Sequence, residues 1–467
     1  MYTQKMLFKK SLNESIRVVS RRQLQLQKFS SKAVGRDSHS AEKAWSNAQE
    51  AMLLKALREN SANPGVNPEL SSSSSSLLQP VGRIGEFRSD TFTKPTPSMY
   101  MAMMDAQCGD DVYGEDPTVN GLEKTAAGLL EKEAAVFVPT CTMANLIAVG
   151  SWCGRGDGAI LGDQSHIFYY EQGGASALMS ATLHTLPNNT DGTLPLTGRS
   201  SITEALEAKA AWETDVHFQK VALVCLENTH NRMGGKILPP AYMDDAGALC
   251  KEFGVALHVD GARLMNAAVG SGHSAARLMR SVDTVSICLS KGLGAPLGAL
   301  VVGSKESMAK VRRLRKVAGG GMRQAGVIAA AGLVGLKENT SKLAGDHSRT
   351  KNLARGLASI KGVLASDLPQ TNILYFDLDS AHLNVNNLDA SEKASLQVGR
   401  FAAHKPGVQL TTAQAFASMI EQSHRCKIGS YGDSRLRVVL HHQVLDEDVE
   451  RLIEGAAQAA KKLSKKQ

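Results

Sequence analysis

With 467 residues, 43% hydrophobic and 21% charged, the chain is long enough for two or three folding units. Its longest apolar run, Gly326 to Leu336, is about half of the ~20 residues a membrane-spanning helix needs, so no membrane partner is expected. The formal charge of +8 does not point to nucleic acid either, because residues 1–60 hold 12 basic against 5 acidic side chains and carry +7 of it, leaving a near-neutral remainder without any RNP, zinc-finger or helix-turn-helix signature.

Residues 1–40 contain two acidic residues, Glu14 and Asp37, among many Arg, Lys, Ser and Gln, and Met6, Leu7, Phe8, Leu12, Ile16, Val18 and Val19 can line one helical face. That is the composition of an organellar transit peptide, which implies a mitochondrial matrix or other organellar location. A basic tail without a fold, in a cytosolic protein, has the same composition. A helix-prone stretch from Ala41 to Arg58 follows, then the serine run Ser71–Ser76, which reads as a linker. Residues 1–83 are thus an N-terminal extension, and folding is expected to begin near Ile84.

From there, apolar runs alternate with helical segments. The runs Ala134–Val138, Gly158–Leu161, Val221–Leu226, Val255–Val259, Thr284–Leu289 and Ala299–Val302 predict strands, and Tyr242–Phe253 and Lys305–Lys316 predict helices. Continuous Val/Ile/Leu strands separated by helices imply an α/β unit with a mostly parallel sheet covered on both faces. After Gly319-Gly320-Gly321, a helical stretch from Gln324 to about Leu357 leads into a smaller α+β region. The expected division is a large domain, 84–337, and a small C-terminal domain, 338–467. The seven cysteines, Cys108, Cys141, Cys153, Cys225, Cys250, Cys288 and Cys426, are scattered singly. They read as reduced thiols of an intracellular protein, not as a disulfide framework.

In a parallel sheet of this kind, ligands bind beyond the carboxyl ends of the strands. Two neighbouring strand ends carry Asp260 and Lys291. Singly, Asp260 could cap a helix and Lys291 could be a solvated loop residue. Together they suit a pyridine cofactor, whose aldehyde condenses with a lysine and whose ring nitrogen is kept protonated by a carboxylate; burial would help the lysine shed its charge. After Val138 the segment Pro139-Thr140-Cys141-Thr142 enters a helix whose N-terminal amides could hold a phosphate, or could be merely Thr-capped. His166 and His230 follow two further strands, where each could serve the chemistry or be structural.

These residues resemble a known family. Arg88-Ser89-Asp90-Thr91, the run from Gly109 to Thr118, Leu226 to Asn231, His258 to Arg263, Leu289 to Gly294 and Gly319 to Gln324 look like the low-specificity L-threonine aldolases, in order, from about Phe87 to about Val444. The resemblance implies an aspartate-aminotransferase-like fold (fold type I of the pyridoxal 5'-phosphate enzymes), no metal, and a self-associating protein, dimer or tetramer, with shared active sites. It makes Lys291 the cofactor-bearing lysine, with Asp260 at the ring nitrogen and His166 stacked on the ring. Ser89, Arg263 and Arg437 would hold the substrate carboxylate, with Arg263 also facing the cofactor. Cys141 and Thr142 would hold the phosphate, assisted by Arg323 of another subunit, and His230 would lie near the substrate β-hydroxyl. The implied activity is retro-aldol cleavage of threonine-like amino acids to glycine and an aldehyde, in threonine catabolism and glycine biosynthesis. One departure stands out: the family commonly has glycine where this chain has Cys141. The competing readings are β-elimination or racemisation on the same scaffold, and a catalytically silent cofactor carrier.

Overall fold

The computed structural model describes residues 83–208, 210–365, 368–396 and 410–464. The expected transit peptide, the helix-prone stretch 41–58 and the serine linker lie outside the described residues. Strand β1 (Gly85–Glu86) opens the described chain. Seven strands then build the large sheet: β2 (Ala134–Val138), β3 (Gly158–Gly162), β4 (Thr182–Leu186), β5 (Val221–Glu227), β6 (Ala256–Gly261), β7 (Thr284–Cys288) and β8 (Ala299–Gly303). Their order is β2-β8-β7-β6-β5-β3-β4. Every neighbouring pair is parallel except the two that involve β8, which runs antiparallel to both β2 and β7.

All residues of β3, β5, β6, β7 and β8 are buried, as expected of strands with helices on both faces. This is why their sequences read as continuous apolar runs. The edge strand β4, Thr-Leu-His-Thr-Leu, buries only Leu186. Its polar alternation gave no such run, and the sequence reading missed it.

The remaining strands are β9 (Val363–Leu364), β10 (Ile373–Leu378), β11 (Cys426–Lys427), β12 (Gly429–Tyr431) and β13 (Arg435–Val439). They form an antiparallel sheet in the order β12-β13-β10-β9 and a parallel β1–β11 pair. A second buried cluster gathers here, with Phe376, Phe416, Leu436 and Leu452. Phe87, from the start of the described chain, belongs to this cluster and not to that of the large sheet. The backbone is helical without a break from Gly326 to Ala358, through a wider turn at Gly335–Asn339 and a tighter one at Thr340–Lys342. Position 337/338 therefore falls inside a continuous helical run. Leu343 still packs with the large-sheet cluster, while Leu353 and Leu357 pack with the second. No described helix is long and apolar enough to cross a membrane, and all seven cysteines are free.

Candidate active site

Strand register brings the chemistry to one edge. On the parallel strands β5, β6 and β7, Glu227 lies opposite Asp260 and Asp260 opposite Ser286. Lys291 follows in the turn after β7. β6 runs on through Gly261, so Asp260 is the penultimate residue of the strand and not the first residue past a strand ending at Val259. The turn Lys291-Gly292-Leu293-Gly294 closes with the Gly294 N–H donating to the Lys291 carbonyl at 2.9 Å. Gly294 has φ +79°, and a Cβ there would stand 2.9 Å from the His442 ring, so glycine is required on both counts.

Asp260 is buried. Its Oδ1 accepts the Ala262 N–H at 3.0 Å and its Oδ2 the Asn145 Nδ2–H at 2.8 Å. Burial pushes this carboxyl up, but the charges of His166 and Lys291 and these donors outweigh it and hold it below the ordinary aspartate value. Among the described residues Asp260 has no arginine partner, and lone pairs on both oxygens remain for a ring N–H. At Lys291 burial does push the ammonium down, as the sequence reading expected, and Arg263 adds to this. The negative charge available on Cys288, Cys141 and Asp260 outweighs both, so the lysine stands above its ordinary value.

His166 opens a short helix after β3, and its side chain is 29% exposed. Its Nδ1 hydrogen-bonds Glu171 Oε1 at 2.9 Å, and ligating atoms of His166, Glu171 and Asp260 all lie within 4.8 Å of one another. Burial lowers the imidazole, while the Glu171 hydrogen bond and the two carboxylates raise it above the ordinary histidine value. Glu227 at the end of β5 ties two loops together, accepting the backbone N–H of His166 at 2.7 Å and of Asn231 at 2.9 Å. His230 is buried, and neither ring nitrogen has a hydrogen-bond partner among the described residues. Its Cβ packs 2.9 Å from where a side chain at Gly192 would begin.

Cys141 is the first residue of the helix Cys141–Trp152, behind the N-cap Thr140, whose hydroxyl takes the Met143 N–H at 3.1 Å. Thr142 is exposed. The other amides of that first turn have no intrahelical partner, so the end is suited to a phosphate.

The arginines need more revision. Arg263 was expected to grip a substrate carboxylate, but its Nε and Nη2 are both committed to Asp90, each at 2.7 Å, in a buried pair. Only Nη1 is left, 3.5 Å from Asn231 Oδ1. Arg437 on β13 reaches the same oxygen with Nη2 at 2.7 Å and Tyr431 with Nη1 at 3.2 Å, while its Nε has no partner among the described residues. Ser89 caps the turn Asp90–Phe92, accepting the Thr91 N–H at 3.3 Å. Arg323 is 56% exposed and pairs with Asp110 at 2.8 Å; no described contact joins it to Lys291 or Asp260.

The sequence reading missed Asn145, Glu171, Glu227, Asp90 and Asn231. Two had a readable signal: an asparagine inside the apolar helix Cys141–Trp152, where its propensity is poor, and a glutamate ending the buried strand Val221–Glu227.

Comparison with known proteins agrees with this geometry. A family model described as β-eliminating lyase matches residues 86–381. The chain is 42% identical over 373 residues, 79% of its own length and 96% of the relative's, to a probable low-specificity L-threonine aldolase 2 of Arabidopsis thaliana. It is 46% identical over 272 residues, 58% of its length and 78% of the relative's, to the low specificity L-threonine aldolase of Escherichia coli strain K12. A threonine aldolase structure from Leishmania major matches with a TM-score of 0.62 at 21% identity, covering 80% of this chain and 99% of that one; this likeness concerns the fold. A lysine and an ionised aspartate at one sheet edge, a histidine with a ring nitrogen within 4.8 Å of that aspartate and a helix N-terminus with spare amides fit pyridoxal phosphate, and the chain belongs to the β-eliminating lyase family, among its low-specificity L-threonine aldolases.

Proposed function

We propose that this protein cleaves L-threonine, L-allo-threonine and related β-hydroxy amino acids to glycine and an aldehyde. The observation that carries the reading is the convergence of Lys291, Asp260 and His166 on one sheet edge. Lys291 would hold the cofactor through its aldehyde, with Asp260 serving the ring nitrogen and His166 the ring. Cys141 and Thr142 offer backbone N–H groups, and Thr142 a hydroxyl, to the phosphate. When bound, the cofactor supplies an electron sink for the pair left by Cα–Cβ cleavage.

Arg437 is the main anchor of the substrate carboxylate, since its Nε is unpartnered and guanidinium and carboxylate match in shape. Ser89 and the remaining Nη1 of Arg263 assist. Holding the carboxylate fixes the orientation at Cα and thereby which bond breaks. His230 takes the β-hydroxyl proton; its two buried, unpartnered ring nitrogens support an unused acid–base group.

The large unit 84–337 carries the cofactor residues and the smaller 338–467 carries Arg437. The protein self-associates as a dimer or tetramer in which Arg323 reaches the phosphate of a neighbouring copy; its exposure supports a role outside its own site. Residues 1–83 act as a transit peptide and linker, testable by whether a fluorescent fusion is imported and processed or stays cytosolic. Incubating the full chain and cofactor with threonine, allo-threonine and serine, and identifying every product, tests the activity. Glycine with acetaldehyde is expected, and pyruvate or a D-amino acid as the main product would overturn it.

A further inference from the structure

Asn145 is buried, and both protons of its amide nitrogen go to carboxylates: one to Asp260 Oδ2 at 2.8 Å, the other to Glu171 Oε1 at 2.9 Å. Its Oδ1 accepts the Ser286 hydroxyl at 2.7 Å and faces His258 Nε2 at 3.3 Å. The His258 Nδ1 meets the Thr284 hydroxyl at 3.0 Å, and that hydroxyl oxygen accepts the Trp152 indole N–H at 3.1 Å.

The carboxylate end fixes the direction of the bonds from Asp260 to His258, and a neutral His258 ring then fixes the bond to Thr284. An ionised carboxylate only accepts, so the Asn145 NH2 must face Asp260 and its oxygen must face His258. His258 Nε2 therefore carries the ring proton, and Nδ1 accepts from Thr284. At the far end the indole only donates, so the Thr284 oxygen accepts from it and is free to donate to His258. The indole end is compatible with this arrangement, since a hydroxyl that accepts from the indole still has its own proton to give to His258. Burial keeps His258 neutral, lowered to about 4, which the arrangement requires.

We propose that Asn145 is a positioning residue that separates two neighbouring carboxylates, giving one N–H to each, so that Asp260 serves the cofactor nitrogen while Glu171 serves His166. The inference rests on the reading of Asp260 above and deepens it. A donor at Oδ2 weakens the hold of Asp260 on a shared proton, which leaves that proton on the ring. Without the amide, Glu171 and Asp260 would face each other in a buried site, and a buried like-charge pair retains a proton at one of its members.

The test uses cofactor labelled with 15N in its pyridine ring, bound to the full-chain enzyme, with the ring resonance reporting its protonation. The wild type should show a protonated ring. Asn145→Asp is close to isosteric and places a third carboxyl beside Asp260 and Glu171, with His166, His258, Lys291, Cys141, Cys288 and Glu227 as the other titratable groups around them. The resonance should move toward the neutral-pyridine position at about pH 8 and return on acidification, as the cluster takes up a proton. In equilibrium titration of the apoenzyme, cofactor Kd at about pH 8 should rise at least about tenfold. Adding Glu171→Gln restores the number of acids and should bring the resonance most of the way back, with Kd within about threefold of wild type.

A residue that only fills space would leave the Asn145→Asp resonance at the wild-type position, or shifted equally with and without Glu171→Gln; either result overturns the proposal. Asn145→Ser keeps one donor and should give an intermediate shift, and a wild-type resonance there overturns it should the aspartate variant fail to fold. Asp260→Ala separates the levels. If it leaves the ring protonated, the assignment of Asp260 itself is wrong. If it deprotonates the ring while the Asn145 variants do not, this inference alone fails.

Discussion

The two sides of the site are built in opposite ways. Around Asp260, the Asn145 amide, the imidazoles of His166 and His258, and the hydroxyls of Ser286 and Thr284 are hydrogen-bonded within the protein. Around His230, both ring nitrogens, Asn228 Nδ2, Thr229 Oγ1 and, across on β13, Arg437 Nε have no partner among the described residues. A buried polar group left unsatisfied costs about 1–3 kcal/mol, so such a concentration needs a reason. The satisfied side holds its geometry by itself and suits a permanent cofactor. On the function proposed above, the unsatisfied side would gain partners when a substrate with a carboxylate and a hydroxyl enters, and the cost would be recovered on binding.

The sharpest way to break the comparison is on the satisfied side, at Lys291. Lys291→Ala should abolish the absorption band of covalently held cofactor and lower turnover by about three orders of magnitude or more, about 4 kcal/mol of barrier. Recovery of a borohydride-reducible adduct at another lysine would show that the covalent anchor lies elsewhere. On the unsatisfied side, His230→Asn is expected to lower kcat by about 10²–10⁴-fold, the usual worth of a positioned base, with cofactor binding unchanged. Unaltered kcat would remove His230 from the chemistry and leave its unpartnered nitrogens unexplained.

The Arg263–Asp90 pair belongs to neither side but joins the start of the described chain to the end of β6. Burial would raise the Asp90 carboxyl, yet Arg263, with smaller contributions from Lys291 and Arg437, holds it well below the usual range. A depressed carboxyl stabilises the fold fully above its unfolded pKa of about 3.9, and the contribution is lost as pH falls through the folded value. Asp90→Ala leaves a buried guanidinium unpaired and should cost about 3–5 kcal/mol in denaturant titration near neutral pH. It should also flatten the acid limb of the stability profile. A loss under about 1 kcal/mol would mean that Arg263 finds another partner, with Asn231 the nearest.

Arg437→Lys tests the clamp more gently, since a lysine keeps the charge and loses the fork. We expect kcat/KM to fall by about ten- to a hundredfold, or 1.4–2.8 kcal/mol, with cofactor Kd nearly constant. Equal loss in cofactor binding would make Arg437 part of the cofactor site.

What could be read from the sequence follows a different line from the two sides of the site. The strands with both faces covered were legible because their burial makes them uniformly apolar, and their ends then located Asp260 and Lys291. Edge strand β4 was not, because a half-exposed strand alternates. Residues acting through one partner at a strand end were found, whereas those acting through three-dimensional neighbours were not. Asn145 looks like an ordinary helical residue until Asp260 and Glu171 stand beside it, and Asp90 like an ordinary acid in a first turn capped by Ser89. The commitment of Arg263 to Asp90 was illegible for the same reason: that partner lies 173 residues away.

Cys141 offers the smallest effect and a direct test of how the phosphate end is held. The resemblance drawn from the sequence implies that glycine is common there, which would matter if the position needed a left-handed backbone. It does not: Cys141 is the first residue of a regular helix and is absent from the described non-glycine residues with positive φ. Its N–H is as available as that of glycine, so the first-turn donors are the same in either sequence. The side chain does add contacts: a thiol donating to the Ser286 hydroxyl at 3.8 Å, with Ser286 in turn donating to Asn145, and a hydrogen bond with Cys288. These contacts are weak, because sulfur is a poor donor, and Ser286 keeps its bond to Asn145 without them. Cys141→Gly should therefore change cofactor Kd by less than about threefold, or 0.65 kcal/mol. Tightening by about tenfold in an equilibrium titration of the apoenzyme would reveal strain that these backbone angles exclude. Weakening by the same factor would mean that the thiol steadies the satisfied side of the site through Ser286, extending the hydrogen-bonded chain one residue further toward the phosphate.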